Sequence, residues 1–308
     1  MNENEFPILF SIIIPTKDRL NLLQQCLNSV SAQKYLNFEV IVVDDNSIDG
    51  TWEWLDKRSG DRFIVLKNKF GGRSNGRNIG KEFANGEFIC FIDDDDYVST
   101  NFLSDFYEGL KIYDFRNNII LRTHFVYDRD GVFSDSKSSY DVNKYGSGVN
   151  FALYEFCSSC SVCLSKNLSV NEDFPIDVDN WEDSHFLLRI LAYGDLIQLP
   201  SYNYFYRIHD KMGSKLVMDK NILVENCIKH VGYMDNFFLL YGGRNPLIFT
   251  LDAKNKITSE KFAEYAVNAM GLKEYKQAIK LILKSFNRGI YLRNLKHYGM
   301  FVINFFKF

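Results

Sequence analysis

"FICFIDDDDYVS", residues 88–99, sets an apolar run against four consecutive carboxylates, Asp93, Asp94, Asp95 and Asp96. Four adjacent anions repel one another, and ionised groups avoid an apolar interior unless something positive compensates them. The run is therefore either a solvated turn or the place for a divalent cation and the anion that cation carries. What stands around it decides.

Two other apolar runs end in the same way. "FSIIIPTKDR" (10–19) reads as a buried strand stopped at Pro15, and "FEVIVVDDNS" (38–47) as a second that also ends in acids. Between them Leu20, Leu23, Leu27 and Val30 recur at helical spacing, with Asp18 placed to cap the helix. A short helix at "DGTWEWL", a third strand at "RFIVLKN" and a helix at "SNGRNIGKEFA", with Ile79 and Phe83 expected inward, lead to the strand at 88. Strands that alternate with helices and are apolar throughout imply a mainly parallel sheet covered on both faces. Ligands of such sheets sit beyond the carboxyl ends of the strands. The clusters "PTKDR", "DDNS" and "DDDD" therefore gather on one edge, and a solvated turn needs no such company.

Beyond Gly109 the pattern changes. "NNIILRTHFVYDRDGVF" reads as strands around an Asp130-Gly131 turn, and 135–150 as a polar loop. "WEDSHFLLRILAYG" opens a helix on Glu182 and Asp183. "YNYFYRIH" alternates, with Tyr202, Tyr204 and Tyr206 on one face and Phe205, Arg207 and His209 on the other. From about 219 to 286 the chain reads as helical, and "FAEYAVNAMGLKEYKQAIKLILKSF" is similar to one helical hairpin of the tetratricopeptide type.

The 308 residues, 46% hydrophobic and 16% aromatic, describe a globular chain with ample core. "MNENEFP" is too polar for a signal peptide, and no apolar run approaches the ~18–20 residues of a membrane span. A cytoplasmic chain is expected. "CSSCSVC" (157–163) has the first three cysteines of an iron–sulfur run, but the fourth position is Asn167. These cysteines read instead as small buried hydrophobes. The net charge of −3 hides an asymmetry. Residues 271–308 hold eight Lys and Arg against one Glu, which is +7 and leaves −10 for residues 1–270. Such a split suggests an anionic partner for the tail.

Several chemistries place acids at strand ends. A dinucleotide fold needs G-x-G-x-x-G after the first strand, and "PTKDRL" has no glycine; a P-loop needs a lysine that "GGRSNGRNIG" lacks. Response-regulator-like domains end near ~120 residues, too short for this chain. A metal-dependent enzyme acting on a nucleotide diphosphate remains.

The order "SIIIPTKDR", "VIVVDDNSIDGT", "GGRSNGRNIG", "GEFICFIDDDD", "WEDSHFLLR" and "YRIH" resembles family 2 glycosyltransferases of the GT-A fold, over about residues 8–215. The resemblance implies a catalytic domain at 1–215 with a mainly parallel central sheet, followed by a helical region at 216–308. It implies an inverting hexosyl- or N-acetylhexosaminyl-transferase using a nucleotide-diphosphate sugar, usually a UDP-sugar, with Mg2+ or Mn2+. The acceptor would be a saccharide or lipid-linked hydroxyl in cell-surface polysaccharide synthesis; no nucleic-acid partner is expected.

Residue by residue, the resemblance places Pro15 and Thr16 beside the nucleotide, Asp44 on the base and Arg77 of "GRN" on the nucleotide or phosphate. It places Asp93 or Asp94 near the ribose, Asp95 on the metal, and His209 near the metal or diphosphate. Asp96 reads as a turn residue. Asp183 is matched to the catalytic base, which an inverting displacement needs on the face opposite the leaving group; as helix N-terminal acids, Asp183 and Glu182 are otherwise equivalent. Two departures stand out. Lys17 occupies a position that is often aromatic, and Phe70 one that is often polar. The rival enzyme class is a metal-dependent sugar nucleotidyltransferase, whose glycine-rich basic first loop this chain lacks. Lys273, Lys276, Lys280, Lys284 and Arg288 recur at helical spacing opposite Tyr275, Ile279, Ile282 and Phe286, and "MFVINFF" adds aromatic anchors. That pattern suggests peripheral docking of the tail on an anionic membrane surface.

Overall fold

The computed structural model describes residues 7–60, 62–135, 148–154, 158–178, 181–209, 223–241 and 250–305. Most of the 135–150 loop, together with Cys157, lies outside the described residues. The chain forms two units, one of residues 1–176 with 182–209 and one of residues 177–181 with 210–308.

The first unit opens with β1 (Phe10–Thr16), α1 (Leu20–Ser31), β2 (Phe38–Asp44), α2 (Thr51–Asp56), β3 (Phe63–Lys67), α3 (Arg73–Phe83) and β4 (Phe88–Phe91). β1 pairs in parallel with β2 and β4, and β2 with β3. The register sets Thr16 opposite Asp44, so the polar strand ends share one edge. There follow β5 (Tyr97–Val98), α4 (Phe102–Ile112), β6 (Ile119–Arg129), β7 (Val132–Asp135), α5 (Gly148–Tyr154), β8 (Val162–Ser165), α6 (Lys166–Ser169), α7 (Glu182–Ile190) and β9 (Asp195–Arg207). The strand order is β3-β2-β1-β4-β8-β6-β9-β5, with β7 on β6.

This sheet is mixed. β8 runs antiparallel to β4 and β6, and β5 antiparallel to β9, while β6 and β9 are parallel. The parallel half coincides with the alternating strand–helix sequence, because only a crossover connection can join parallel neighbours. The antiparallel β8 has a consequence for the site: it brings the residues before it, including Cys160, alongside Phe91 at the end of β4.

Local packing follows the apolar spacing, with two corrections. In α1, Leu23, Cys26, Leu27 and Val30 are buried, each worth about 1.5–3 kcal/mol relative to exposure for the larger side chains. Asp18 does not cap this helix. Arg19 takes that position, and Asp18, at φ +50°, accepts instead from the Ile48 amide at 2.7 Å. Nor does Phe83 turn inward; it is 50% exposed. The buried face of α3 consists of Ser74, Gly76, Arg77, Gly80 and Lys81. Small residues let the helix lie close on β1: a Cβ on Gly80 would stand 2.3 Å from Ile13 Cγ2.

The second unit contains α8 (Leu223–Tyr241), α9 (Leu251–Gly271), α10 (Tyr275–Arg288), a 3-10 turn (Leu292–Asn294) and α11 (Leu295–Phe305). Its core includes Leu223, Cys227, Phe262, Ala266, Leu281 and Ile282. The face expected for Tyr275, Ile279, Ile282 and Phe286 is split, because Ile282 packs into this core while Ile279 and Phe286 stay exposed. Among the described residues no helix is long and apolar enough to cross a membrane.

Candidate active site

The chain turns sharply after β4, with the Asp96 amide donating to the Asp93 carbonyl at 3.1 Å. The turn sends the four carboxylates to different partners. Arg77 Nη2 donates to Asp93 at 2.7 Å. Asp94 points toward the end of β1, where Thr16 Oγ1 donates to it at 2.7 Å and Arg19 Nη1 at 2.9 Å. Asp95 meets the same Arg19 nitrogen at 2.7 Å and His209 Nε2 at 3.0 Å. Asp96 accepts from the Tyr204 hydroxyl at 2.7 Å and the Arg207 amide at 2.8 Å.

Asp96 is thus more than the turn residue its sequence position suggests. It is buried, and Asp93, Asp95 and Asp96 each bring an oxygen within 4.8 Å of the others. Burial, with Asp95 and Asp93 as neighbours, pushes the Asp96 carboxyl well above the ordinary carboxylate range. Asp94 is pushed up by burial to about 6. Burial opposes ionisation of Asp93 too, but Arg77, with Arg73 and Cys160, offsets it and holds that carboxyl below the usual range. The three clustered acids offer the all-oxygen donor set that a hard divalent cation prefers, with His209 as a neighbouring nitrogen. The donor chemistry fits such an ion.

Arg77 joins this cluster to α7. Its guanidinium is 1% exposed and meets three carboxylates: Asp93, Glu182 at 3.0 Å and Asp183 at 3.1 Å. Glu182 is further approached by Arg73 at 3.5 Å. Asp183 accepts from Ser159 Oγ at 2.7 Å. Burial raises the Asp183 pKa to about 6; Arg77 opposes that rise, and Glu182 adds to it. A buried carboxylate of this kind can take a proton near neutral pH. The two acids that looked equivalent in sequence are now distinct: Glu182 is held between two arginines, whereas Asp183 has one arginine and serine hydroxyls.

The part of the edge at the end of β2 is built from loops pinned together. Asn68 donates to Asp45 and to the Gly72 carbonyl, and accepts from the Phe70 and Gly71 amides. Asp45 also receives the Gly72 amide at 3.0 Å and Lys17 Nζ at 3.2 Å. Asp44 differs from it. One oxygen accepts from the Ser47 amide at 3.2 Å, while Oδ1 is buried and has no hydrogen-bond partner among the described residues. A buried acceptor without a donor is rare and costly, and here it lies at the end of a strand where ligands bind. Pro15 lies against α3, 3.1 Å from where a Cβ on Gly76 would stand.

All the expected residues, Pro15, Thr16, Asp44, Arg77, Asp93, Asp94, Asp95, Asp183 and His209, lie in the first unit. Thr16 bonds Asp94, Arg19 joins Asp94 to Asp95, and Arg77 joins Asp93 to Asp183. Arg19, Asn68, Asp96, Tyr204 and Ser159 escaped the sequence reading. Arg19 stands in "PTKDR" and Asp96 in the acid run, and nothing local marks Ser159. Of the cysteines in "CSSCSVC", Cys160 is buried beside Asp93 and Cys163 faces Cys90 across the β4–β8 pair. Burial raises both thiols well above their ordinary range.

Residues 11–162 match the family model for glycosyl transferase family 2. An Escherichia coli UDP-Glc:alpha-D-GlcNAc-diphosphoundecaprenol beta-1,3-glucosyltransferase, WfaP, is 32% identical over 233 residues, 73% of this chain and 87% of the relative. A Staphylococcus aureus poly(ribitol-phosphate) beta-N-acetylglucosaminyltransferase, TarS, is 36% identical over 101 residues, 31% of this chain and 18% of that protein. In fold, the chain is similar to the crystal structure of TarS 1-349 in complex with UDP-GlcNAc, with a TM-score of 0.62 at 17% identity over 91% of this chain and 89% of that one. It is also similar to a mannosyltransferase from Pyrobaculum calidifontis in complex with GDP-Man and Mn2+, with a TM-score of 0.56 at 17% identity over 96% and 84% of the two chains. Sequence motifs, strand order and an acid-lined sheet edge agree with these matches: the chain belongs to glycosyl transferase family 2.

Proposed function

We propose that the protein transfers a sugar, with inversion, from a UDP-sugar to a hydroxyl of a lipid-linked saccharide in the synthesis of a cell-surface polysaccharide. The observation that carries the reading is the Arg77 bridge, which sets an acid cluster suited to a cation and a second, raised-pKa carboxylate on one sheet edge. The relatives supply the substrate classes. WfaP acts with UDP-Glc on a diphosphoundecaprenol-linked sugar, and a Campylobacter jejuni beta-1,3-glucosyltransferase, 35% identical over 98 residues, acts on another undecaprenol-linked glycan.

In this reading the Asp44 Oδ1 accepts the imide N–H of the uracil, and Pro15 and Thr16 border the nucleoside. Asp95, with Asp93, Asp96 and His209, would hold Mg2+ or Mn2+, which when bound neutralises charge on the departing diphosphate. Asp94 keeps Thr16 and Arg19 in place beside the donor. Arg77 serves the donor side through Asp93 and the acceptor side through Asp183. The Asp183 carboxylate takes the proton of the acceptor hydroxyl as that oxygen bonds to the anomeric carbon. The bond from this carbon to the diphosphate oxygen breaks, and the electron pair leaves with UDP.

Calorimetric titration with UDP and Mn2+ tests the donor half. Asp95→Ala should abolish metal-dependent UDP affinity, whereas metal-independent binding through Asp44 should persist. Retention of the metal-dependent increment would remove Asp95 from the cation site. Slow release of UDP from a UDP-sugar supports transfer, while pyrophosphate exchange without UDP release would favour the nucleotidyltransferase.

A further inference from the structure

α10 has two faces of different character. Ala278, Leu281, Ile282 and Ser285 are buried, and α9 covers them, with Ser285 Oγ donating to the Ser259 carbonyl at 2.7 Å. On the other side Ile279, Leu283 and Phe286 are 40%, 55% and 41% exposed. They lie at i, i+4 and i+7, which makes one stripe. Lys276 and Lys280 are exposed beside it, and Lys273 is exposed just before the first turn. At 3.6 residues per turn the lysine row stands roughly 70° around the helix from the apolar stripe.

The five basic residues that share a helical spacing are not equivalent. Arg288 is committed to Asp235, with two bonds of 3.0 and 2.6 Å. The Lys284 ammonium lies 5.7 Å from the centre of the Phe262 ring. Lys273, Lys276 and Lys280 make no ion pair among the described residues. Beyond the helix end, the Phe286 ring lies 5.0 Å from that of Tyr298 of α11, and α11 itself exposes Leu295, Met300, Val302 and Ile303.

The geometry points to the outward face of α10, extended by α11, as a surface that docks on an anionic lipid bilayer. Lysines adjoining an apolar stripe can reach headgroup phosphates while the stripe enters the interface. A second copy of this chain fits less well, because a two-fold contact sets this face against itself and would place two sets of three lysines in one interface. Residues 271–308 offer one acid, Glu274, to relieve that repulsion. The inference deepens the reading of a lipid-linked acceptor, yet its test uses no transfer chemistry, so either can fail without the other.

Co-sedimentation of the full chain with vesicles decides it. Binding is expected to phosphatidylcholine vesicles containing one-third phosphatidylglycerol and not to phosphatidylcholine alone, and it should weaken steeply with added NaCl. The triple variant Lys273→Gln, Lys276→Gln, Lys280→Gln should bind the anionic vesicles roughly 100-fold more weakly, about fivefold for each lysine. Ile279→Gln with Leu283→Gln should also weaken binding several-fold, with an unchanged circular dichroism melt because both side chains are exposed. Salt-insensitive wild-type binding would overturn the proposal without reliance on any variant's fold, and so would a triple variant that binds like wild type. So would an Ile279–Leu283 double variant that keeps its vesicle affinity but turns a dimer into a monomer in sedimentation velocity, since that face would then belong to a second copy.

Discussion

The sheet edge and α10 both collect like charge, and they treat it in opposite ways. At the edge, Asp93, Asp94, Asp95 and Asp96 are each met by named donors, and Arg77 is enclosed by three acids. On α10 the exposed lysines have water in front of them. The difference is one of dielectric. A charge withdrawn from water must be matched residue by residue, so a buried cluster has a fixed geometry that chemistry can use. An exposed cluster is screened, costs little and recognises only the sign of its partner. Substitutions at the edge should therefore act on turnover and stability in large, specific steps. Substitutions on α10 should act additively and weakly.

The largest step is expected at Asp183. Asp183→Asn keeps the shape and the Ser159 contact but cannot take a proton, so turnover should fall by roughly 10²–10⁴, with UDP affinity nearly unchanged. Single-turnover rates at saturating donor measure this. If Glu182→Gln produced the loss and Asp183→Asn did not, the base would be misassigned. The pH dependence gives a second reading. Asp183 titrates at about 6 because it is buried, and a base works in its deprotonated form. The rate should be flat above that pH and fall about tenfold per unit below it, and Asp183→Asn should lose this limb. Asp94, also near 6, is proposed to border the donor, so its titration should appear in donor affinity and not in the saturated rate.

The next step in size concerns the bridge. Arg77→Leu leaves Asp93, Glu182 and Asp183 without their shared cation in a buried site, and removal of one member of such a group costs about 3–5 kcal/mol. Arg77→Lys restores the charge without the fork that reaches all three carboxylates at once, so an intermediate loss is expected. Denaturation in a Trp181→Phe background, with Trp52 and Trp54 reporting on the first unit, measures both. Because Arg77 depresses the Asp93 pKa, its stabilisation is present above the unfolded value of about 4 and is lost as pH falls through the lower folded value. A loss below about 1 kcal/mol in Arg77→Leu, the size typical of exposed pairs, would mean that the buried edge holds its charges no more firmly than the surface does.

The two regions also differ in how much of them was legible in sequence. Continuous apolar runs ending in acids located the sheet edge, because burial on both faces leaves a strand little choice of side chain. The mixed half of the sheet was harder, since β8 is short and its antiparallel place beside β4 is set by tertiary pairing. Asp96 looked like a turn because its partners, Tyr204 and the Arg207 amide, come from β9 more than a hundred residues away. The separation of Glu182 from Asp183 has the same origin: it depends on Arg73, Arg77 and Ser159, none of them adjacent in sequence. On α10, Ile279 and Ile282 are equally apolar, and periodicity cannot say which of two apolar flanks a neighbouring helix covers. The Ser285–Ser259 contact and the burial of Ala278 choose Ile282.

The smallest effect tests whether the basic residues of α10 divide as their environments suggest. Arg288 shares the spacing of the lysines but holds Asp235 of α8 in a two-bond contact, with both side chains more than a quarter exposed. An exposed pair of good geometry contributes about 1 kcal/mol or less. Arg288→Ala should therefore lower the stability of the second unit by about that amount, as read from a urea titration followed by circular dichroism. Its affinity for anionic vesicles should stay within a factor of about two of wild type, since a guanidinium already paired adds little to a headgroup contact worth about 1 kcal/mol per unpaired basic residue. Lys280→Gln should do the reverse, leaving the melt unchanged and weakening vesicle binding about fivefold. If the two variants behaved alike in both measurements, environment would not distinguish them, and spacing alone would be the better description of this helix.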